Sequence, residues 1–206
     1  MHPDRRSIHL FLIATLATVA ASSKSLPEVM DGDIIFQTSR SSQSLAIEKA
    51  THSRYSHMGV IFKRDGKLYV LEASATVRFT PLKEWIARGK DDAYVVKRLR
   101  TGLTQAQIDK LRKAARPLEG RSYDLTFEWS DARIYCSELV WKIYDRALHV
   151  EIGKLQRLAD FDLSDSAVRA KMKERYGSDV PMDEAVISPG AMCDSPLLQV
   201  VAKAGN

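Results

Sequence analysis

The sequence lacks the short motifs that anchor the commonest nucleotide and zinc chemistries. It contains no Gly-Lys-Ser or Gly-Lys-Thr phosphate loop, no CxxC pair and no HExxH segment. Nucleotide binding and a structural or catalytic zinc site therefore have no anchor in this chain. We expect no cofactor and no metal ion.

The chain also lacks a dense block of one charge. Its 31 lysines and arginines and 26 aspartates and glutamates give a net charge of +5, and the basic residues are spread along the sequence. This distribution indicates mild attraction to anionic surfaces and does not favour nucleic-acid binding. The hydrophobic and charged fractions, 45% and 28%, are those of an ordinary globular protein.

No apolar run is long enough to span a bilayer. Arg5 and Arg6 precede a mainly apolar run over residues 8–21, and small residues at 20–22 supply a cleavage site. This pattern predicts a secretory signal peptide over residues 1–21, with a membrane anchor as the alternative. We expect residues 22–206 to form one exported domain that does not span the membrane, in a bacterial periplasm. The sequence does not indicate an oligomeric state.

Only two cysteines are present, Cys136 and Cys193. Because apolar residues recur at helical spacing from Leu139 onward, Cys136 belongs to the first turn of a helix. Unpaired backbone N–H groups and the helix dipole favour a thiolate there, and the thiolate is the nucleophile. One alternative is a cysteine that fills the core. Another is a disulfide with Cys193, which an exported protein permits.

A hairpin brings two further polar residues together. Apolar runs at residues 58–62 and 68–71 flank Asp65-Gly66, a strong turn signal. His57 stands at the start of the first strand and Glu72 at the end of the second. Since these ends are neighbours in an antiparallel pair, we expect the imidazole and the carboxylate to lie within reach of each other.

The remaining segments predict a mixed α and β chain. We expect strands over residues 34–36, 77–79, 94–99 and 197–201. Helices are expected over residues 45–51, 81–88, 104–116 and 164–176. Thr80 and Ser164 are the predicted N-caps of the second and fourth of these helices.

Cys136, His57 and Glu72 form a coherent nucleophilic set. The thiol would attack a carbonyl, the histidine would activate it and protonate the leaving group, and the carboxylate would orient the ring. The backbone N–H of Cys136 would be one oxyanion donor. Gln37 and Tyr55 are candidates for the second.

Several alternatives stay open at this point. His52 is an equally titratable neighbour of His57, and Glu138 or Asp124 could take the place of Glu72. Three aromatic residues before the cysteine either line a substrate groove or pack in the core: Tyr123, Phe127 and Trp129.

Five segments in order resemble the YiiX/YaeF family of permuted papain-fold cysteine hydrolases, which are related to NlpC-type cell-wall peptidases. They are Gly32-Asp33-Ile34-Ile35-Phe36, Tyr55-Ser56-His57-Met58-Gly59, Leu71-Glu72-Ala73, Tyr123-Asp124 and Tyr135-Cys136-Ser137-Glu138-Leu139-Val140. The histidine precedes the cysteine, as in the permuted order. The resemblance runs from about residue 32 to residue 189.

The resemblance implies an α+β fold in which an antiparallel, barrel-like sheet packs against the helix that carries the cysteine. It implies Cys136 as nucleophile, His57 as base and Glu72 as the orienting residue. It also implies hydrolysis of an amide bond in a cell-wall peptide or an amide-linked lipid. The rival hypotheses are an acyltransferase or lipid hydrolase on the same fold, a non-catalytic ligand-binding module, and a disulfide-stabilised structural protein.

Overall fold

The computed structural model describes residues 29–205. The predicted signal peptide at residues 1–21 lies outside the described residues and stays a prediction. The strands are β1 (Ile34–Gln37), β2 (His57–Arg64), β3 (Lys67–Ala73), β4 (Val77–Pro81), β5 (Tyr94–Leu99), β6 (Ser122–Tyr123), β7 (Arg133–Ile134), β8 (Gln156–Arg157), β9 (Ala185–Val186) and β10 (Leu198–Ala204). The α-helices are α1 (Ser42–Thr51), α2 (Leu82–Ala87), α3 (Gln105–Ala115), α4 (Cys136–Leu148), α5 (Ser166–Tyr176) and α6 (Pro189–Cys193).

The main sheet has six strands in the order β10-β5-β1-β2-β3-β4. Every neighbouring pair in it is antiparallel. The short strands form two separate pairs, β6 with β7 and β8 with β9. The predicted α+β class is therefore confirmed.

Both faces of the main sheet are covered. Successive strand residues point to opposite sides of the sheet, and in β1 the residues on both sides are buried. Ile34 and Phe36 pack in the larger core cluster, together with residues of α4. Ile35, between them, packs in a second cluster with Trp85 of α2. A short strand buried on both faces reads as a continuous apolar run, which is how β1 stands in the sequence.

Helix α4 lies against β2 and β3 on one side and α3 on the other. Its apolar stripe is fully buried, as the helical spacing predicts: Leu139, Val140, Ile143 and Tyr144. The helix ends at His149, which adopts the left-handed conformation with φ 55°. This packing fixes the start of α4 against the end of the β2–β3 hairpin.

Two predicted helix caps are wrong. Helix α2 begins after Pro81, and the Thr80 hydroxyl donates to a carboxylate instead of capping the helix. Helix α5 is capped by Asp165, whose Oδ1 accepts from the N–H of Ala167 at 2.8 Å. Within residues 29–205, none of the helices is both long and apolar enough to cross a membrane.

Candidate active site

The β2–β3 hairpin places His57 beside Glu72. The turn residues Asp65 and Gly66 both have positive φ, 49° and 75°, as a tight hairpin turn requires. Gly59 lets the strands approach closely, because a Cβ there would lie 2.6 Å from the carbonyl oxygen of Leu71. At the open end of the hairpin, His57 Nε2 lies 2.7 Å from Glu72 Oε2.

Glu72 is fully buried but surrounded by donors. The hydroxyl of Thr80 donates to its Oε1 at 2.5 Å, and the guanidinium of Arg88 donates to the same oxygen. Arg78 Nε stands 3.9 Å away. Burial alone would raise the pKa of Glu72, but the bonds and charges of His57, Thr80 and Arg88 outweigh it and lower the pKa to about 2. The side chain is therefore a carboxylate at neutral pH.

His57 is held on both its edges and one of its faces. Its ring stacks on that of Trp85, with centroids 5.6 Å apart and planes 22° from parallel. Burial lowers its pKa, but hydrogen bonds with Cys136 and Glu72, and the charges of both, outweigh that effect and raise the pKa to about 9.

Cys136 is the first residue of α4, so its N–H has no partner within the helix. Three hydrogen bonds hold this helix start in place. Glu138 Oε2 accepts from the N–H of Tyr135 at 3.2 Å, and the Tyr135 hydroxyl accepts from the N–H of Ile187 at 3.2 Å. The Ser137 hydroxyl donates to the Ile187 carbonyl at 2.8 Å.

The alternative orienting residues contact other groups. Glu138 Oε1 lies 2.6 Å from Lys142 Nζ. Burial raises the pKa of Glu138 to about 7 despite the opposing charge of Lys142. Asp124 Oδ1 accepts from the N–H of Thr126 at 2.8 Å. His57 thus has Glu72 as its carboxylate partner.

Two other candidates named from the sequence, His52 and Tyr55, have other surroundings. His52 is exposed and pairs with Asp162 at 3.2 Å. Tyr55 lines a separate cleft with Tyr94. Both cysteines are free thiols, so the disulfide alternative is absent from the structure.

An apolar groove of about 670 Å³ opens beside Cys136. Side chains of α1, α5 and the segments around them form most of its wall, among them Ala46, Ile47, Phe161, Val168, Met172 and Val186. Of the three aromatic candidates, Tyr123 and Phe127 also line the groove. Trp129 instead packs edge-on against Trp141, with centroids 5.2 Å apart.

Two cations also line the groove, and both are engaged by protein groups. Lys171 pairs with Glu174 at 2.6 Å. The guanidinium of Arg175 lies over the ring of Phe127, 4.8 Å from its centroid. The apolar side chains therefore set the character of the groove.

Residues 28–202 match the family of permuted papain-like amidase enzymes, YaeF/YiiX, C92. The chain belongs to this family. The chain is also 49% identical over 194 residues to an uncharacterized protein YiiX of Escherichia coli K12, covering 94% of this chain and 95% of that protein. A crystal structure of YiiX from Escherichia coli O157:H7, described as a metalloprotein, superposes with a TM-score of 0.83 at 52% identity, covering 85% of this chain and 97% of that one.

Membership of the YaeF/YiiX family confirms the permuted papain-like fold and makes this chain an amidase-family hydrolase. Several residues that shape its site were not identified from the sequence. The sequence predicts Trp85 and Arg88 only as parts of the helix over residues 81–88, and Thr80 as its cap. All three surround the His57–Glu72 pair. Their closeness in the sequence, from the end of β4 to the end of α2, is the one signal that could have suggested a shared role.

Proposed function

We propose that this protein is a cysteine amidase that cleaves an amide-linked lipid through a Cys136-His57-Glu72 triad and a covalent acyl-enzyme. The observation that carries this proposal is the double engagement of His57. One ring nitrogen contacts the buried carboxylate of Glu72 at 2.7 Å, and Cys136 at the start of α4 is close enough to the ring to raise its pKa. Thiol catalysis needs a nucleophile, a base and a third group that orients the base.

In the first half-reaction, Cys136 attacks as the thiolate of a thiolate–imidazolium pair, and its sulfur forms a bond to the carbonyl carbon of the amide. The raised pKa of His57, about 9, keeps the ring protonated at neutral pH. The imidazolium gives its proton to the amide nitrogen as the C–N bond breaks, so that a neutral amine departs. The acyl group remains on the sulfur as a thioester, and the ring is left neutral.

In the second half-reaction, neutral His57 takes a proton from water. The hydroxide oxygen bonds to the thioester carbon, the C–S bond breaks, and a carboxylic acid leaves. Glu72 stabilises the charged ring in both halves and fixes its orientation, while Arg88 and Thr80 hold Glu72 in turn. The unpaired N–H of Cys136 points from a helix start, where it can stabilise the oxyanion.

The groove favours a lipid over a peptide as the acyl half of the substrate. Its wall is mainly aliphatic and aromatic, and Cys136 lies on it. An acyl chain that enters it leaves water, which contributes roughly 0.8 kcal/mol per buried methylene. A hydrophilic cell-wall peptide gains nothing comparable from such a wall.

A metal ion is implied only by the description of the YiiX crystal structure as a metalloprotein. Within residues 29–205, no group of three or more His, Cys, Asp or Glu side chains could hold one. The residues that the structure describes do not fit a metal site, and the proposed mechanism uses no metal ion.

We also propose that the protein is exported, on the strength of the arginines and the apolar run before residue 22. N-terminal sequencing of the protein from a periplasmic fraction should give a mature chain that begins near residue 22. Recovery of the uncleaved chain from the cytoplasm alone contradicts export and leaves the amidase proposal intact.

The test of function is to trap the acyl-enzyme. The protein is mixed with an N-dodecanoyl amide or with a muropeptide, quenched in acid, and its intact mass and modified peptide are measured. We expect a dodecanoyl adduct on Cys136 and release of dodecanoic acid. An adduct only with the muropeptide would contradict the lipid substrate, and transfer of the acyl group to a non-water acceptor would identify an acyltransferase. Absence of any adduct and any product contradicts the enzyme.

A further inference from the structure

A second cavity adjoins the apolar groove and shares a wall with it. The groove is lined by Cys136, whereas the second cavity, of about 800 Å³, is lined by His57. Gln43, Ile47 and Tyr123 line both cavities. The Gln43 amide donates to the Tyr123 hydroxyl at 3.0 Å, so these two side chains form a fixed divider.

The walls of the two cavities differ in chemistry. The wall of the second one, which we call the serine pocket, is more polar than that of the groove, although apolar atoms still form most of its surface; its hydroxyl and amide side chains are Ser39, Ser41, Ser56, Ser74, Gln37 and Gln43, beside Tyr123. The Ser39 hydroxyl donates to the Ser41 hydroxyl at 2.9 Å, and the Ser39 N–H donates to the Ser56 hydroxyl at 2.9 Å. These bonds join the hydroxyl groups in one network, which includes the segment between β1 and α1.

The proposed mechanism assigns one half of the substrate to each cavity. The acyl half stays bonded to the sulfur, which lies on the groove. The amine half departs with the proton that His57 supplies, and His57 lies on the serine pocket. We infer that the serine pocket binds the leaving amine, and that this amine is short and carries hydroxyl or amide groups. This inference rests on the proposed function.

A matched pair of substrates tests the orientation. N-Dodecanoyl-ethanolamine has a long acyl half and a short hydroxylated amine, and N-glycoloyl-dodecylamine has the same two ends exchanged. With both kept below their micellar concentrations, we expect kcat/KM to be at least about ten-fold higher for the ethanolamide. Equal rates, or a preference for the dodecylamine derivative, overturn the inference while the amidase proposal survives. If neither is cleaved and Cys136 is not acylated, both proposals fail.

Two variants test the two cavities separately. Ser41→Ala removes an exposed hydroxyl from the serine pocket, and we expect it to reduce the preference for N-dodecanoyl-ethanolamine over N-dodecanoyl-propylamine. Ala50→Leu narrows the groove, and it should shift the preferred acyl chain to shorter lengths without changing the amine preference. Ser42→Ala is the matched control, since Ser42 is exposed and outside both walls. A variant that lowers all rates equally, with both preferences unchanged, contradicts the assignment of its cavity.

Discussion

Cys136 and Cys193 are both free and both buried, with 3% and 2% of their surface exposed. Their surroundings differ. Cys136 begins a long helix, raises the pKa of His57 and lines the groove. Cys193 ends a short helix, and burial raises its pKa to about 11 despite the nearby charge of Lys97. Burial alone therefore does not distinguish the two thiols; under our proposal, the neighbouring imidazole makes Cys136 the nucleophile.

The largest expected effect separates the two cysteines directly. Cys136→Ser should lower kcat on an N-acyl amide by about a thousand-fold or more, because a hydroxyl is a far poorer nucleophile beside the same base. Cys193→Ser should leave kcat within about two-fold, because no step uses that sulfur. Steady-state kinetics on the two purified variants, with circular dichroism to verify folding, makes the comparison. Retained turnover in Cys136→Ser would refute the mechanism.

The partners of Cys136 give the next effects in size. His57→Ala should lower kcat by roughly a hundred- to a thousand-fold, since it removes the base and acid. Glu72→Gln should cost less, roughly ten- to a hundred-fold, because it weakens the orientation and charge stabilisation of the ring. Both are measured under saturating substrate.

Glu138→Gln is the matched control for the carboxylate, as Glu138 is equally buried but bonds Lys142 and the Tyr135 N–H. We expect it to lower the free energy of unfolding and to leave kcat nearly unchanged. If it reduces kcat more than Glu72→Gln does, the assignment of the third triad member is wrong.

The smallest expected effect is on stability. The folded-state pKa of His57 is about 9 against an ordinary value of 6.5, so the folded protein binds the extra proton more tightly. This stabilisation is fully present below pH 6.5 and is lost as the pH rises through about 9.

Urea unfolding of the native protein and of His57→Gln at several pH values measures this contribution. Between pH 6.5 and about 9, the free energy of unfolding should fall more steeply for the native protein, by roughly 2–3 kcal/mol in total. Other groups that titrate in this range, Glu138 among them, largely cancel in the difference. Parallel curves for the two proteins contradict the charged His57–Glu72 pair.

Local sequence patterns predicted the hairpin and the helix that carry the candidate site residues. They could not predict which side chains surround His57 and Glu72. The Asp65-Gly66 turn implied the register of the hairpin, and the helical stripe after Leu139 implied where α4 begins. Both are local patterns with a known period. The hydrogen bond from Arg88 to Glu72 depends instead on how the chain after β4 folds back, because the two residues are sixteen positions apart in the sequence.

The order of the strands in the main sheet could not be predicted from the sequence either. β1 lies between β2 and β5, and β10 joins the edge beside β5. Such pairings depend on packing between distant segments, which periodicity does not encode. The Ser164 cap failed for a smaller reason, because two adjacent residues with capping side chains precede α5 and Asp165 takes the position.

The most direct test of the central claim is alkylation of the native protein with an iodoacetamide probe from about pH 6 to about pH 10, followed by peptide mapping. We predict that Cys136 is labelled at neutral pH, more slowly in His57→Ala, and that Cys193 stays largely unlabelled across this range, because burial raises its pKa to about 11. Labelling of Cys193 in preference to Cys136, or of both at the same rate, would contradict the account.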